Sequence, residues 1–330
     1  MPSIRDTVTE MIQVVMPEHA GAPGQIHGGR MMEWIVGAGT VASSRVARGT
    51  VALGAMDDID FLHPVKVGEI ATLCAQVESV GHSSLEVGVR VYAEDPATGG
   101  RALTLSSHLV FVSVDEAGKP RPVLAKIEPR GAAEEALVHA ALERRKQRLG
   151  RFAVKAERLG EVKDEPEEVR WRFESTRAVL PEEALFGNLM FAGKLLTGID
   201  EAAGILSVRY TRGFTMTASM DALDFYSPIR VREFLTLRAG LNYVGTTSME
   251  IGVKVLAEEP WRGEVRHACT AFLTFVHVGP DRRPMPVPPF RPETPAERRR
   301  WEAAGARREA RLARIKRLKA SIASQQGVMP

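Results

Sequence analysis

Alternating hydrophobic and polar positions predict extended strands over much of this chain. Four such runs lie in its first half, each bounded by Gly, Pro or Asp residues. They are Val51–Asp60, Glu69–Val80, Leu85–Glu94 and Arg101–Val114. The same pattern returns in the second half. Its runs are Thr215–Asp224, Glu233–Val244, Met249–Glu258 and Val265–Val278. Glycine-led turns at Gly81–Ser83 and Gly245–Thr247 join neighbouring runs, which predicts two meandering antiparallel sheets.

One long helix is predicted ahead of each series of strands. In His27–Val46 and Phe191–Tyr210 the apolar residues recur at helical spacing, and no proline interrupts them. A further extended run lies before each helix, at Thr7–Val15 and Val169–Val179, and ends just before a Pro-Glu pair. One strand, one helix and four strands per series predict the α+β class. Each unit would be a curled antiparallel sheet wrapped around a single helix.

The two series are copies of one domain. A shift of 164 positions aligns them without a gap from about Glu10 to Val123, and roughly a third of the aligned positions are identical. Pro64 meets Pro228, and Glu86 meets Glu250. A period this long corresponds to a whole domain, because solenoid units repeat every ~20–50 residues. Differences between the copies therefore mark places where function has become asymmetric.

The repeat divides the chain into four segments. We predict an N-terminal domain over 1–126, a connecting helix and linker over 127–166, a C-terminal domain over 167–290, and a basic helix and tail over 291–330. The connecting helix is expected at Pro129–Leu149 and a charged linker at Lys155–Glu168. The tail helix, Thr294–Ser321, is rich in arginine, but glutamates interrupt it and few aromatics interleave. It is expected to be solvated or to pack on the domains rather than to bind nucleic acid.

Composition sets limits on partners and location. The chain has 330 residues, 44% of them hydrophobic and 26% charged, with a formal net charge of +3, which does not demand a nucleic-acid partner. It has only two cysteines, Cys74 and Cys269, so a disulfide scaffold is not expected, and the two do not occupy equivalent positions of the repeats. No run approaches the ~18 apolar residues of a membrane span, and the N-terminus lacks the apolar core of a signal peptide. We expect a cytoplasmic protein with no membrane partner.

The loop that enters each helix contains small residues where a ligand could approach. Gly28 and Gly29 open the first helix, and Ala192 and Gly193 open the second. Backbone N–H groups at the positive end of a helix dipole could polarise a carbonyl and hold a developing oxyanion. The alternative is that these glycines only permit a tight turn and close packing of the helix.

An acidic residue, Asp200, distinguishes the second helix from the first. Asp200 lies two turns into an otherwise apolar helix, and its counterpart in the first copy is Val36. An ionised carboxylate among Leu196 and Ile199 is costly unless it is partnered or used, and it should have a perturbed pKa. The alternative is a helix-surface aspartate. A carboxylate beside an oxyanion cradle fits hydrolysis, with Asp200 as general base toward water or as nucleophile.

Three sequence patterns resemble the hotdog-fold acyl-CoA thioesterases, most closely the tandem-hotdog cytosolic acyl-CoA hydrolases. These patterns are Gly-x-x-His-Gly-Gly at 24–29, Ile-Asp-Glu-Ala-Ala-Gly at 199–204, and Asp-Phe-Leu-His-Pro-Val-Lys-Val-Gly-Glu at 60–69. The resemblance covers almost the whole chain. It implies two tandem hotdog domains packed as an intrachain pseudo-dimer, with active sites at their interface. It also implies hydrolysis of fatty acyl-CoA to free fatty acid and coenzyme A, and assembly into trimers of tandem chains, that is, pseudo-hexamers of hotdogs.

The resemblance also implies which residues form the active site. One site would combine the Gln25–Gly29 loop with Asp200. The family has asparagine at the position of Gln25, and glutamine offers the same amide one methylene further out. The second site would combine the Leu189–Gly193 loop with Val36, which cannot act as a base, so we expect that site to be catalytically silent. Asn188 stands one position away from the motif and could compensate only if the loop shifts.

Other candidates are weaker. His27 is expected to hydrogen-bond within its loop rather than to act directly, and no second metal ligand stands at a suitable spacing near it, so neither a metal nor another cofactor is implied. Glu33 is expected on a solvated helix surface. Coenzyme A carries phosphates that favour cations and N–H groups. Its candidate contacts are Arg101, Arg266, Lys66, Arg230 and the turn residues Ser83, Ser84, Thr247 and Ser248.

The duplication also bears on four aspartates. Asp57 and Asp60 recur as Asp221 and Asp224, so they are expected to be structural partners of strands and turns rather than part of one active site. Three rival functions stay open at this stage. One is a non-catalytic acyl-CoA-binding or sensing protein. Another is a hotdog hydratase or dehydratase, which generally uses a histidine together with a carboxylate. The third, a purely structural interaction protein, leaves the solitary Asp200 unexplained.

Overall fold

The computed structural model describes residues 1–21, 24–158 and 169–326. The first repeat contains eight strands and one long helix. They are β1 Thr9–Val14, β2 Ala20–Gly21, β3 Gln25–Ile26, α1 Gly28–Ala47, β4 Val51–Met56, β5 Ile59–Asp60, β6 Ile70–Val80, β7 Ser84–Glu94 and β8 Arg101–Ser113. A connecting helix, α2, spans Ala132–Arg158.

The second repeat has the same order of elements. They are β9 Arg172–Ala178, β10 Ala184–Phe186, β11 Leu189–Met190, α3 Ala192–Thr211, β12 Phe214–Met220, β13 Leu223–Asp224, β14 Phe234–Val244, β15 Ser248–Glu259 and β16 Glu264–Val278. A C-terminal helix, α4, spans Pro295–Gln326. The α+β prediction is confirmed, with a long helix and a six-stranded antiparallel sheet for each repeat.

The connecting helix differs from the prediction. We expected it to end near Leu149 and a linker to begin at Lys155, but α2 continues to Arg158. Lysine, glutamate and arginine are good helix formers, so the charged residues continue the helix rather than end it. The rest of the expected linker, residues 159–168, lies outside the described residues.

Each long helix packs on the inner face of its own sheet. α1 contacts β6 and β7, and α3 contacts β14 and β15. Alternate residues of β6, Leu73, Ala75 and Val77, have no exposed surface, in keeping with the two-residue period of a strand. The two helices also pack against each other. The interface between the repeats is therefore formed around a helix pair.

The repeats exchange short strands across this interface. In each repeat the first of the four runs expected as strands is divided into two, at Asp57 in the first repeat and at Asp221 in the second. Beyond the break, β5 pairs with β12 of the second repeat, and β13 pairs with β4 of the first. The order of strands is β1-β6-β7-β8-β4-β13 in one sheet and β5-β12-β16-β15-β14-β9 in the other. This exchange joins the two domains into an intrachain pseudo-dimer.

The outer helices bridge the same interface. α2 packs on β6 and α4 on β14, each with arginines at i, i+4 and i+7 on one face. They are Arg144, Arg148 and Arg151 on α2, and Arg307, Arg311 and Arg314 on α4. The C-terminal helix therefore packs on the domains, and its three arginines bind carboxylates of the protein itself.

All four repeated aspartates are partners of these arginines. Arg151 lies 3.4 Å from Asp57 of the first repeat and 3.8 Å from Asp224 of the second. Arg314 similarly lies 2.7 Å from Asp60 and 3.7 Å from Asp221. Each of these two arginines thus contacts carboxylates of both repeats. The expected structural role of the aspartates agrees with these ion pairs.

Candidate active site

The first turn of α1 meets the middle of α3 at a distance that only glycine allows. A Cβ on Gly28 would lie 2.7 Å from the Thr217 Cβ and 3.1 Å from the Asp200 Oδ2. A Cβ on Gly29 would lie 2.7 Å from the backbone Cα of Thr197. Contacts shorter than 3.0 Å force something to move. The paired glycines therefore permit the close approach of the two helices, as the alternative interpretation of the motif held. The same approach brings the Asp200 carboxylate to the N-terminus of α1.

Asp200 is fully buried, and three groups contact its carboxylate. The Gly29 N–H donates to Oδ2 at 2.7 Å, and the Thr217 hydroxyl donates to Oδ1 at 2.7 Å. The His27 Nε2 lies 3.4 Å from Oδ2. Burial raises the pKa of Asp200 above its ordinary value, while His27, Thr217 and the Gly29 N–H oppose that rise. The surface-aspartate alternative is excluded, because Asp200 has no exposed surface.

A large cavity lies against these groups. Its volume is about 980 Å³, within the usual range for small-molecule sites. His27, Gly28 and Thr217 form part of its wall, and all three approach Asp200, which does not line the cavity itself. About a third of the His27 side chain is exposed. The carboxylate is thus positioned behind a wall of three groups that a ligand can touch.

Gln25 also lines this cavity. The residue is 5% exposed, and no group of the described residues donates a hydrogen bond to its Oε1. A buried amide oxygen without a donor carries a desolvation cost of about 1–3 kcal/mol. A polar ligand or water in the cavity would relieve that cost. The structure therefore brings Gln25, His27, Gly28 and Asp200 into one neighbourhood.

The helix N-terminus differs from the expectation for Gly29. We expected the N–H groups of both Gly28 and Gly29 to polarise a carbonyl. The Gly29 N–H is instead occupied, because it donates to Asp200. The first N–H groups of a helix have no intrahelical acceptor, and Gly28 lines the cavity. The Gly28 N–H is thus the better candidate for contact with a ligand.

Sequence reasoning missed three residues of this cavity. Thr217 holds the carboxylate, while Arg209 and Arg282 add two cations to the lining beside Lys66. Thr217 could have been found, because its counterpart in the first repeat is the apolar Leu53. The same comparison pairs Arg282 with Gly118 but pairs Arg209 with another arginine, so it gives no signal for Arg209.

A second, smaller cavity occupies the equivalent place on the other side of the helix pair. Its volume is about 360 Å³. The four polar positions of the first site hold apolar residues here. The replacements are Leu189 for Gln25, Phe191 for His27, Leu53 for Thr217 and Val36 for Asp200. The lining contains no base, which fits the expectation that this site is catalytically silent.

The remaining candidates of the second site are not arranged for catalysis. Asn188 is exposed and does not line the cavity. A Cβ on Gly193 would lie 2.5 Å from the ring of Phe191, so this glycine serves packing. Glu33 was expected on a solvated surface, but it is 9% exposed. It lies 2.7 Å from Arg30 and 2.9 Å from Lys194 of the facing helix, because burial of a carboxylate requires partners.

Most candidate contacts for coenzyme A lie elsewhere. Of these residues, Lys66 lines the first cavity, and the others line neither cavity. Arg101 stacks on Tyr92 with 4.4 Å between its Cζ and the ring centroid. Arg266 donates to Glu233 at 2.8 Å. Ser84 and Ser248 are the first residues of β7 and β15, and Ser83 and Thr247 lie in the turns just before these strands. Their proposed contacts with the nucleotide stay predictions.

The described part of the chain offers neither a membrane-spanning helix nor a cluster of metal ligands. Within residues 1–21, 24–158 and 169–326, no helix combines the length and apolarity needed to cross a bilayer. In the same part of the chain, no three His, Cys, Asp or Glu side chains are grouped so that they could hold a metal ion.

Comparisons with known proteins give the family. The thioesterase superfamily model matches residues 23–99 and 187–262, once in each repeat. The mouse cytosolic acyl coenzyme A thioester hydrolase is 30% identical over 317 residues, which cover 90% of this chain and 81% of that protein. The mouse acyl-coenzyme A thioesterase 11 is 29% identical over 93% of this chain, but the chain spans only 53% of that relative's length.

A solved structure supports the fold. An acyl-ACP thioesterase from Bacteroides thetaiotaomicron aligns with a TM-score of 0.52 over 83% of this chain and 99% of that chain, at 12% sequence identity. Together with the two family matches and the strand exchange, it confirms the tandem hotdog architecture. The predicted enzyme class, an acyl-CoA thioester hydrolase, is confirmed by the named relatives. The chain therefore belongs to the family of the tandem-hotdog cytosolic acyl-CoA thioester hydrolases.

Proposed function

We propose that this protein hydrolyses fatty acyl-CoA to free fatty acid and coenzyme A at one competent site, the larger cavity beside α1 and α3. One observation carries the proposal. A fully buried carboxylate, Asp200, is held by a helix N–H and a hydroxyl at the wall of this cavity, and the equivalent position of the second cavity is Val36. A protein that only binds acyl-CoA has no need of a buried carboxylate held in one orientation.

Asp200 acts as general base in this proposal. Burial raises its pKa above that of an ordinary aspartate, which makes the carboxylate a stronger base. Water beside His27 and Thr217 adds to the thioester carbonyl carbon. It passes its proton to the Thr217 hydroxyl oxygen as that hydroxyl passes its own proton to Asp200. The Gly28 N–H stabilises the oxyanion. Collapse of the intermediate breaks the C–S bond, and the coenzyme A thiolate takes the proton back from Asp200 through the Thr217 hydroxyl.

A nucleophilic role for Asp200 is less favourable. The side chain has no exposed surface and does not line the cavity. To attack a thioester directly, the carboxylate would have to leave both the Gly29 N–H and the Thr217 hydroxyl. Loss of two hydrogen bonds to a charged acceptor costs about 1.5–3 kcal/mol each. The general-base route needs no such movement, because the Thr217 hydroxyl lines the cavity and can relay the proton to the carboxylate.

Gln25 and three cations position the substrate. The unsatisfied Oε1 of Gln25 can accept a hydrogen bond from the attacking water, and its Nε2 can donate one to the thioester carbonyl. Lys66, Arg209 and Arg282 line the same cavity and can pair with the phosphates of coenzyme A. The cavity thus offers a polar end for the nucleotide and an apolar remainder for the acyl chain.

Free-thiol release from a panel of acyl-CoAs, short to long, tests this proposal. We expect turnover by the wild type and its loss in Asp200→Asn, and the chain-length profile would identify the acyl group preferred. Tight binding of acyl-CoA without thiol release would overturn the proposal and support a binding or sensing protein. Turnover that survives in Asp200→Asn would assign the chemistry to another group.

A hydratase is the second candidate, because one observation favours it. Such chemistry generally uses a histidine with a carboxylate, and the structure places the His27 Nε2 3.4 Å from Asp200. The same protein preparation should therefore be assayed with an α,β-unsaturated acyl-CoA. Loss of the conjugated double bond without release of thiol would indicate hydration. Thiol release with the double bond intact would exclude it.

We also propose that the protein works in the cytoplasm as a trimer of tandem chains. The edge strand β1 supports further assembly, because Ile12 and Val14 on it are 59% and 48% exposed and its outer edge has no partner among the described strands. Light scattering after size exclusion should give three times the 36.1 kDa chain mass. Ile12→Lys should reduce that mass, while Thr176→Lys at the equivalent position should not. A monomeric wild type would refute the trimer.

A further inference from the structure

The second cavity retains the shape of a ligand site although it lacks a base. Most of its lining residues stand at positions equivalent to those that line the first cavity. Its volume of about 360 Å³ is at the lower end of the range for small-molecule sites. A chain that had only lost catalysis there could have filled the space with larger side chains, as well-packed interiors do. The cavity remains open between α1 and α3.

The lining of this cavity selects an apolar ligand. Among the described residues that line it, none carries a charge. The positions equivalent to Lys66, Arg209 and Arg282 of the first cavity hold Arg230, Arg45 and Gly118, and neither arginine lines the second cavity. Coenzyme A carries several phosphate charges, which need cations or N–H groups. The second cavity therefore disfavours a coenzyme A thioester and favours an aliphatic chain.

A surface hairpin at the cavity is unusually apolar. Leu185 and Phe186, on β10, line the cavity and are 42% and 40% exposed. The first repeat has Gly21 at the position of Leu185. Large apolar side chains exposed together beside a cavity often mark a binding site. They extend the apolar surface from the interior to the solvent.

One cation stands at the edge of the cavity. The Arg230 Nη2 lies 3.9 Å from the position that a Cβ on Gly118 would occupy, and Leu189 contacts the same position. Gly118 and Leu189 both line the cavity at half-exposed positions. A carboxylate at the edge could accept hydrogen bonds from the Arg230 guanidinium, which binds carboxylates in a bidentate geometry.

We propose that the second cavity binds a free aliphatic monocarboxylate, a fatty acid, with its chain among the apolar residues and its carboxylate at Arg230. The site would bind the chemical class of product that the first cavity is proposed to release, without hydrolysing anything. Val36 belongs to α1 and Leu195 to α3, and both line this cavity. A bound chain would therefore touch both helices that hold Asp200.

Calorimetry with decanoate tests the proposal without any turnover, so the result does not depend on the hydrolase assignment. The first cavity is saturated with a non-hydrolysable thioether analogue of decanoyl-CoA. Decanoate should then bind at one site per chain. Arg230→Gln should weaken decanoate about tenfold, equivalent to ~1.4 kcal/mol, and should leave the affinity for decan-1-ol unchanged. Lys66→Gln, the matched change at the first cavity, should leave decanoate affinity unchanged.

A second variant obstructs the cavity itself. Leu189→Trp places a larger ring at its half-exposed edge, so it should abolish binding of both decanoate and decan-1-ol. If this variant does not fold, the comparison of the two ligands on Arg230→Gln still decides the matter. No decanoate binding to the saturated protein would overturn the proposal. Two analogue molecules per chain would also overturn it, because the second cavity would then take the thioester.

Discussion

Replacement of Asp200 by asparagine separates the catalytic role of the carboxylate from its packing role. The amide has nearly the same shape as the carboxylate. Its oxygen can accept from the Gly29 N–H, now 2.7 Å from Oδ2. Its NH2 group can donate to the Thr217 oxygen, since a hydroxyl both donates and accepts. No buried polar group is left without a partner, so the helix pair should stay in place.

The expected loss of activity follows from the missing base. A positioned general base contributes about 10²- to 10⁴-fold to rate, so kcat of Asp200→Asn should fall by that factor. The KM should change little, because the cavity lining, including Gln25 and Lys66, is untouched. If the protein only binds acyl-CoA, Asp200→Asn should leave the affinity for acyl-CoA unchanged, and the wild type itself should show no turnover.

The same substitution should stabilise the fold at neutral pH. Burial raises the pKa of Asp200 above its ordinary 3.8, so the folded chain holds this proton more tightly than the unfolded chain does. The stabilisation by the protonated acid is fully present below pH 3.8 and is lost as the pH rises through the folded pKa. Asparagine carries no charge at any pH. The stability advantage of Asp200→Asn should therefore be greatest at neutral pH and should shrink as the pH falls toward 4.

Urea unfolding at several pH values and thiol release on the same samples measure both effects. Glu116→Gln makes the same chemical change at an exposed residue that lines neither cavity, and it should alter neither quantity. A kcat within tenfold of wild type for Asp200→Asn would refute the general-base assignment. A variant less stable than wild type at pH 7 would refute the argument that the buried charge is costly.

Three further substitutions test the packing around the site. Gly29→Ala places a Cβ 2.7 Å from the Cα of Thr197, so α1 must shift. We expect the free energy of unfolding in urea to fall by about 1–3 kcal/mol and kcat to fall as well. Wild-type values for both would contradict this. Arg311→Met removes the cation 2.9 Å from the buried Asp221. Urea unfolding should then show a loss of about 3–5 kcal/mol in stability, with unchanged kcat per folded molecule. An unchanged urea midpoint would contradict a stabilising role for the α4 arginines. Val36→Asp should lower stability and add no thiol release in the Asp200→Asn background, because Leu53 and Phe191 replace the Thr217 and His27 that contact Asp200 in the first site. Restored turnover in this double variant would show a competent second site.

Much of the fold could be predicted from local patterns in the sequence. Each long helix was predicted within one residue of its observed bounds, Gly28–Ala47 and Ala192–Thr211, because its apolar period is uninterrupted. The division of the strands at Asp57 and Asp221 could not be predicted. After the break, each short strand pairs with the other repeat, and the reason for the break lies in that distant partner rather than in the local pattern. The domain boundaries themselves stay predictions.

The site was predictable where the repeats differ and obscure where they agree. Asp200 stands out because its counterpart is Val36, and the same comparison would have revealed Thr217 against Leu53. The use of the Gly29 N–H by Asp200 could not be foreseen. It depends on two helices approaching closely enough that one helix N-terminus meets the side chain of the other, which the spacing of residues within one helix does not specify.

Duplication within one chain explains why a single acid is favourable. In a symmetric pair of identical domains, any carboxylate at the helix contact would be buried twice, and each burial opposes folding. In the tandem chain the position can differ between copies, so Asp200 is buried once and Val36 packs in its place. The same freedom allows the second cavity to have Phe191 and Leu53 at the positions equivalent to His27 and Thr217, while the first site keeps both polar residues. An asymmetric helix pair can thus combine one polar, hydrolytic cavity with one apolar, binding cavity, which identical subunits cannot do.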